Sequence, residues 1–593
     1  MTETVTVLVA GHRPDRLSGE DVSGQLFSKL ENVLASLSAV VKAEEAALRL
    51  LTGIASGTDQ AASRISGRLS LPLHLLAPGL PEPLDTMQQH AERVVWLGAS
   101  EEGILGEEAY AVRDEVALSF ADLLAVVWDG ESPQGLSGGT VRMAFQAALM
   151  MKPVIWLATD GKVRLLDRTR LNAPRLHKLR SPHAEPSWLQ DCFTDSLDEE
   201  NLRQMLTEAV HLVLDPSATV ASQGVNRLSD YRSAGSQGSN PIRSGHLHEA
   251  MLALLSFDFA RARKLLWARL PEAYWGPVKG GVDHPTMSTP LIDARFEKHD
   301  VEASVAAGRH RDSTWLIYGA SAMAVFAAVA GAIELWPGAH SPLWAVVELV
   351  LVGGILGGFA TAKKQRWHGK WISFRFIAEQ LRYAKMCAPL LGIPRPFMEP
   401  AWQVEAGTLR LASAERWFIQ RTMTAQGLPC SADGTAYVAC SETAKAKLSE
   451  YVRLVVGDQM AYHRRNHHKL HTVHERLHKL EIGLFGATVV AVLAHFVIHD
   501  ARWLLICTAV FPALAAAVYG LATKLEIARV SGQSAATERG LTAIGTAIDE
   551  TRNQPGWNGW FRLRQLTLDA ARIMSDENDQ WQQLILHQEA GLP

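Results

Sequence analysis

Residues 341–362 read SPLWAVVELVLVGGILGGFATA, a stretch without Lys, Arg or Asp in which Glu348 is the one acid. A helix of this length reaches about 33 Å at about 1.5 Å per residue, close to the roughly 30 Å of a bilayer's hydrocarbon core. Three further stretches share the composition: Ser313 to Ile333, Ile482 to His499 and Trp503 to Thr523. They fall as two close pairs, which predicts two hairpins of membrane-spanning helices. Core helices of a large soluble protein can also be apolar all round, and Glu348 and His495 interrupt two of the stretches. The flanks favour the membrane. Arg309 and Arg311 precede the first span, Lys363, Lys364, Arg366 and Lys370 follow the second, Lys469 and Lys479 precede the third, and Lys524 follows the fourth. Of the short connectors, Glu334 to His340 has no basic residue and the one near Asp500 has only Arg502. That asymmetry predicts four spans with both termini and the long middle segment in the cytoplasm.

Two overlapping GxxxG patterns in the second span, Gly353 with Gly357 and Gly354 with Gly358, favour close helix contact, either between subunits or within the hairpin. Glu348 is costly inside lipid, so it either lines a pore or reaches the outer interface.

The front half reads differently. At 593 residues the chain is too long for one core. Met1 to Asp160 holds 11 Lys plus Arg against 21 Asp plus Glu, the wrong sign for a nucleic-acid partner. The five cysteines, Cys192, Cys387, Cys430, Cys440 and Cys507, have no CxxC spacing and read as reduced structural thiols. The opening MTETVTVLVAGHR has no basic n-region, so it does not read as a secretory signal.

From Val5 to about Ala158, short β-branched runs alternate with helical patterns. Val5 to Ala10, Ala47 to Leu51, Leu73 to Ala77, Leu123 to Trp128 and Val154 to Leu157 are the expected strands. The fold class predicted is a Rossmann-like α/β open parallel sheet followed by an all-α membrane region. The expected division is a nucleotide-binding domain over 1–160, its extension over 161–215, a Ser- and Gly-rich flexible linker over 216–245 and a helical connector over 246–312. A first hairpin with its cytoplasmic helix then takes 313–400, a cytoplasmic helical segment 401–480, and a second hairpin with its helices 481–593. Hairpin then helix occurs twice, the mark of a diverged internal duplication.

Ligands in such sheets bind beyond the carboxyl ends of the strands, where helix N-termini offer free N–H groups. Candidate binding residues cluster there. Gly11-His12-Arg13 end the first strand. The turn after the second runs Thr52-Gly53-Ile54-Ala55-Ser56-Gly57-Thr58-Asp59: Gly53 and Gly57 let backbone approach a phosphate or ribose, and Asp59 caps a helix or binds a ribose hydroxyl. Tyr110 and Arg113 lie in Tyr110-Ala111-Val112-Arg113-Asp114, Trp128 and Asp129 in Val127-Trp128-Asp129-Gly130, and Ser137-Gly138-Gly139-Thr140 opens a further helix. Arg113 suits a phosphate, and Trp128 or Tyr110 suits a base.

This set, GxAxGxD followed by Ala, then YxxRD, WDG and GGT, resembles the SLOG superfamily, the Rossmann-like group that includes the DNA-processing protein DprA and the cytokinin-activating LOG enzymes. The doubled hairpin-plus-helix unit, with Arg375-Phe376-Ile377-Ala378-Glu379 after its first pair of spans, is similar to the SLATT family of two-span effectors. The resemblance implies a sensor of a nucleotide second messenger or NAD-derived molecule. It also implies an oligomeric effector in the bacterial inner membrane that acts in antiviral conflict by opening a pore or damaging the bilayer. The alternative is a membrane-anchored nucleotide- or NAD-processing enzyme. LOG-type hydrolases carry PGGxGTxxE, whereas Thr140-Val141-Arg142-Met143 lacks the glutamate, so no catalytic residue is assigned and no cofactor is expected beyond the signal itself.

His463, His467, His468, His471, His474 and His478 stand mostly three or four apart, a spacing that can bring imidazoles to one metal. The interleaved Arg464, Arg465, Lys469 and Lys479 would repel a cation. The cluster reads as a polar helix near anionic headgroups, with no metal site.

Overall fold

The strand runs of the front half are apolar at successive positions, so the sheet they form must be covered on both faces. The computed structural model describes residues 3–12, 20–80, 82–86, 88–98, 107–131, 139–181, 184–219, 222–234, 245–267, 289–333, 341–431, 436–498, 501–552 and 554–585. In chain order the sheet contains β1 (Thr4–Gly11), β2 (Ala47–Thr52), β3 (Leu73–Ala77), β4 (Arg93–Trp96), β5 (Leu123–Trp128), β6 (Val154–Ala158), β7 (Val163–Leu165) and, from far along the chain, Tyr437–Val438. A separate hairpin, Trp402–Glu405 with Thr408–Leu411, supplies β8 and β9, which makes Tyr437–Val438 β10. Strand order is β10-β4-β3-β2-β1-β5-β6-β7, parallel except at β7. Helices α1 (Glu20–Ala43), α2 (Thr58–Leu69), α3 (Glu107–Ser119) and α4 (Thr140–Leu149) connect the strands.

The period-two alternation divides the strands between two cores. Val5, Val7, Val9, Leu50 and Leu75 pack with α1 and the helix Glu199–Leu214. Leu8, Ala10, Leu51, Leu76 and Val126 share a second core with Phe376, Trp417, Tyr451 and Trp560. One face of the sheet is thus covered by the helical half of the molecule. The sheet borrows β10 from 437–438; β4, whose run begins with Arg93, and the antiparallel β7 join the five strands expected.

A polar joint reinforces this apolar one. Asp122, which precedes β5, accepts from Thr6 N at 2.8 Å, from Thr424 Oγ1 at 2.6 Å and from Arg421 Nη1 at 3.2 Å. Arg421 and Thr424 lie on the helix Ala414–Gln426. Carbonyls at the end of that helix accept from the sheet: Ala425 from Arg49 Nη1 at 3.3 Å and Gln426 from Arg93 Nη1 at 3.0 Å. Cations at a helix C-terminus are favourable there.

The stretch expected as a flexible linker is corrected in part. Ser222–Ser233 is a helix, because Leu228 and Tyr231 bury their side chains in the shared core and Tyr231 OH donates to the buried Glu415 at 2.7 Å. Residues 235–244 lie outside the described residues.

Among the described residues, four helices are long and apolar enough to cross a membrane. The first span is the end of a continuous helix Pro290–Ala332, and the second is Ser341–Gln365. The third ends the helix Glu442–Val497, whose 56 residues extend about 84 Å, and the fourth is Arg502–Lys524. After the second and fourth spans the helix is interrupted at Arg366 (φ 53°) and Glu526 (φ 51°), both in the left-handed region, and the chain carries on in the same sense. The return helices Trp367–Cys387 and Ile527–Thr551 continue from the spans and lie antiparallel along the first parts of Pro290–Ala332 and Glu442–Val497 respectively. The two halves therefore share one plan: long helix, short span, left-handed break, return helix.

The apolar stretches are not a soluble core. In the most apolar window of each span helix, 22% of residues are buried in the first, none in the second, 6% in the third and 22% in the fourth. Leu349, Val350, Val490, Phe496 and Val497 all point away from the protein.

Arg421 is 4% exposed and Asp122 5%, so Arg421→Met leaves a buried carboxylate short of its cation. The expected cost is about 3–5 kcal/mol, read as a lower denaturation midpoint of the purified chain, with Asp122→Asn in the same chain recovering part of it.

Candidate functional site

Strand order reverses at β1: β2, β3 and β4 lie on one side and β5, β6 and β7 on the other. The crevice at such a reversal, beyond the carboxyl ends of β1 and β5, is where open α/β sheets hold ligands. Gly11 and His12 lie at the end of β1 and Asp129 just after β5; the His12 ring is buried, with Nε2 at 2.9 Å from Asp129 Oδ1. Thr58, at the start of α2, donates from Oγ1 to the His12 carbonyl at 3.1 Å and so ties the first two turns together.

In the second turn Gly53 has no room for a side chain. A Cβ there would lie 2.3 Å from Asp59 Oδ2 and 3.2 Å from Arg113 Nη1. Gly57 holds φ at 90°, a value that favours glycine. Ala55 N donates to Asp59 Oδ2 at 3.3 Å, Ala55 is part-exposed and Ser56 is exposed at the rim. The first turns of α2 and α4 follow Gly57 and Gly139, and neither glycine can supply a capping side chain. Both helix N-termini therefore present backbone N–H groups to the crevice, a setting suited to an anion. Thr140, at the head of α4, is buried.

Beneath the turns lies a buried charge triad that the sequence reading only half anticipated. Asp114 is fully buried and accepts from Arg113 Nε at 2.8 Å. Burial pushes the carboxyls of Asp59 and Asp114 above the usual range, and Arg113 opposes this in both. Burial disfavours the Arg113 charge as well, but the Asp114 and Asp59 carboxylates outweigh it and hold its pKa above the ordinary value. Arg113 spends its Nε and Nη2 edge on Asp114, and its Nη1 faces the turn at Gly53. Its place is to hold two acids under the glycine turns. Tyr110 is part-exposed, with the Arg113 guanidinium 5.7 Å from its ring centroid.

Trp128 is corrected outright. Its side chain has no exposed surface, its indole N–H donates to the Glu131 carbonyl at 2.9 Å, and its ring lies 5.1 Å from that of Trp156. It packs the floor and stacks on no ligand, because a strand buried on both faces turns its last residue into the core as readily as toward the rim. Arg13 and Gly138 lie outside the described residues. Met143, where the LOG pattern has glutamate, is buried in the shared core. A cavity of about 50 Å³ lined by Asp122, Lys152, Arg168, Trp402 and Arg421 lies at the opposite, amino-terminal side of the sheet, away from this crevice.

Signals missed in the sequence sit on the other side of α3. Glu115, the residue after Asp114, accepts from Arg564 Nη2 at 3.0 Å, and Arg564 is 2% exposed. Arg564 belongs to the C-terminal helix Gly556–Ile585, whose Ser575 Oγ accepts from Gln380 Nε2 at 3.2 Å on the first return helix. No spacing rule connects residues 449 apart in sequence.

In the membrane half, a Cβ at Gly353, Gly354 or Gly357 would meet nothing within 4 Å, whereas one at Gly358 would lie 3.7 Å from Ile317 of the first span helix. Of these four, Gly358 alone faces the first span, while from the other side Gly331 sits against Trp344. Glu348 is part-buried about two turns into its helix. The histidine run is dispersed: His463 is buried, His467 Nδ1 lies 3.0 Å from Ser531 Oγ, and His471 and His478 pair with Glu475 and Glu481. Among the described residues no three His, Cys, Asp or Glu side chains gather as metal ligands would.

Buried imidazoles also collect just below the spans. His310 stacks on His368 at 4.6 Å between ring centroids. Burial lowers His310 to about 3, with His368, Lys524 and Arg311 adding to it, lowers His368 to about 4 with help from Lys524, and lowers His463 to about 4. The folded state keeps these rings neutral, so the stability they contribute is complete above about pH 6.5 and is lost as pH falls toward about 4 and then 3. The denaturation midpoint of the purified chain should fall steadily across that window, and His310→Gln should flatten the fall; an unchanged slope in the variant contradicts the assignment.

No family model, curated protein or solved structure matches the chain, so the reading of the crevice stands on its own residues.

Proposed function

We propose that this chain is a membrane-anchored effector of a bacterial antiviral defence system. A SLOG-like crevice senses a nucleotide-derived or NAD-derived signal. The four spans lie in the inner membrane with both termini cytoplasmic, as a homo-oligomer, and on binding they open a pore or perturb the bilayer in the manner of SLATT-type effectors. The observation that carries the reading is the continuity of α3: Arg113 and Asp114 lie under the glycine turns, while Glu115 on the same helix holds Arg564 of the C-terminal helix. That helix in turn packs on the return helix that begins directly below the second span.

A ligand shifts an equilibrium only through a difference in its affinity for the two states. A phosphate seated on the N-termini of α2 and α4 supplies one, because its charge bears on the Asp59–Arg113–Asp114 triad. Movement of α3 then reaches Arg564 and the spans. The chemistry asked of the site is binding; Met143 in place of the LOG glutamate leaves hydrolysis without its acid.

The test has two parts. Small molecules that co-purify with the full chain are identified by mass spectrometry, and the one found is added to proteoliposomes loaded with a fluorescent dye. Release of dye that depends on the ligand supports the proposal. Binding with no change in permeability sinks the effector half, and release of free base or ribose phosphate favours the enzyme. Arg564→Met is expected to leave ligand affinity within about threefold while cutting ligand-dependent release at least tenfold, since it breaks the relay and not the crevice.

A further inference from the structure

The four spans lie side by side in the order second, first, fourth, third: the first packs on both the second and the fourth, and the fourth packs on the third. The contact between the two halves is therefore made by the long helix of the first half and the short span of the second half. Tyr318 lies against Gly520 in this contact, and a Cβ added to the glycine would run into the tyrosine ring. In a duplicated plan each kind of contact has a counterpart, the long helix of the second half against the short span of the first. Within one chain these two helices stand at opposite ends of the row, and they are also the two whose apolar windows are least covered, none of the residues in one and 6% in the other.

We infer that the missing contact is made between copies: the third span of one chain packs against the second span of the next, head to tail, and the row closes into a ring. This rests on the membrane placement proposed above. The interface is heterologous, since one copy presents its second span and the other its third, and a heterologous contact that closes makes a cyclic assembly. The internal plan locates the contact. Tyr318 precedes the end of its helix, Ala332, by fourteen residues, as Gly483 precedes Val497. Gly520 precedes the left-handed break at Glu526 by six residues, as Ala360 precedes the break at Arg366. Gly483 and Ala360 are both exposed, and a Cβ on Gly483 would meet nothing within 4 Å. Small residues on both sides let the backbones approach closely, which is what drives association where lipid removes the hydrophobic force. The open Gly353, Gly354 and Gly357 lie on the same second span and extend that surface toward its outer end.

Cysteine cross-linking of the full chain in its own membranes tests this, with the unmodified chain as control for its five native cysteines. Ala360→Cys combined with Gly483→Cys in one chain is expected to give, on mild oxidation, a ladder of dimers, trimers and larger species that ends at a closed ring. Each single variant alone should stay monomeric, and two differently tagged singles mixed in one membrane should give dimers only, because Cα atoms must come within about 7 Å to bridge. A second pair one turn nearer the hairpin tips, Leu356→Cys with Gly483→Cys moved to Ala487→Cys, covers the case in which the first pair disturbs insertion. Self-cross-linking of the Ala360→Cys single variant would establish a two-fold interface and overturn the ring. Monomers from both pairs, in chains that resist extraction with carbonate, would overturn the contact while leaving the membrane reading intact. A chain that carbonate does extract would overturn both.

Discussion

Water cannot cover the outside of this molecule. Leu349, Val350, Phe496 and Val497 are 67–80% exposed on apolar stretches of their helices. Each such side chain left in water forgoes about 1.5–3 kcal/mol of burial, and the exposed apolar row includes many more of them. Patches of that size mark an interface with something apolar. The architecture follows from keeping these helices together at one end while the rest of the chain builds the sheet-containing body at the other.

That body is one piece. Covering one face of the sheet with α1 and the helix Glu199–Leu214 leaves the other face to the return helices, the helix Ala414–Gln426 and the C-terminal helix. Asp122, Arg421 and Thr424 add directional bonds across the same seam. The helices that lead from the spans share one hydrophobic core with that face of the sheet. Close packing, which transmits displacement instead of absorbing it, is the physical basis of the link proposed between the crevice and the spans.

The parts legible in sequence were those set by local pattern. Five strands announced themselves as short β-branched runs, and the four spans by length and the absence of charge. The glycine turn at Gly53 and Gly57 was readable because glycine has few other reasons to recur between strand and helix. Arg93–Trp96 went unread because a strand of four residues that opens on a cation carries too little pattern, and β10 because two residues carry none. Ser222–Ser233 looked like linker by composition, but its few apolar side chains find partners remote in sequence. Trp128 is at the expected end of the sheet but buried in its floor, since rim and floor differ by side-chain direction and not by position. The pairing of Glu115 with Arg564 and the row order of the spans depend on tertiary packing alone.

Spin labels at Val350 and Val490, one at a time in the full chain reconstituted into vesicles, test the central claim most directly through their accessibility to oxygen and to a water-soluble nickel chelate. Placement of these faces in lipid gives labels reached by oxygen and shielded from nickel. Labels reached by nickel as readily as by oxygen would put both helices in water and contradict the account.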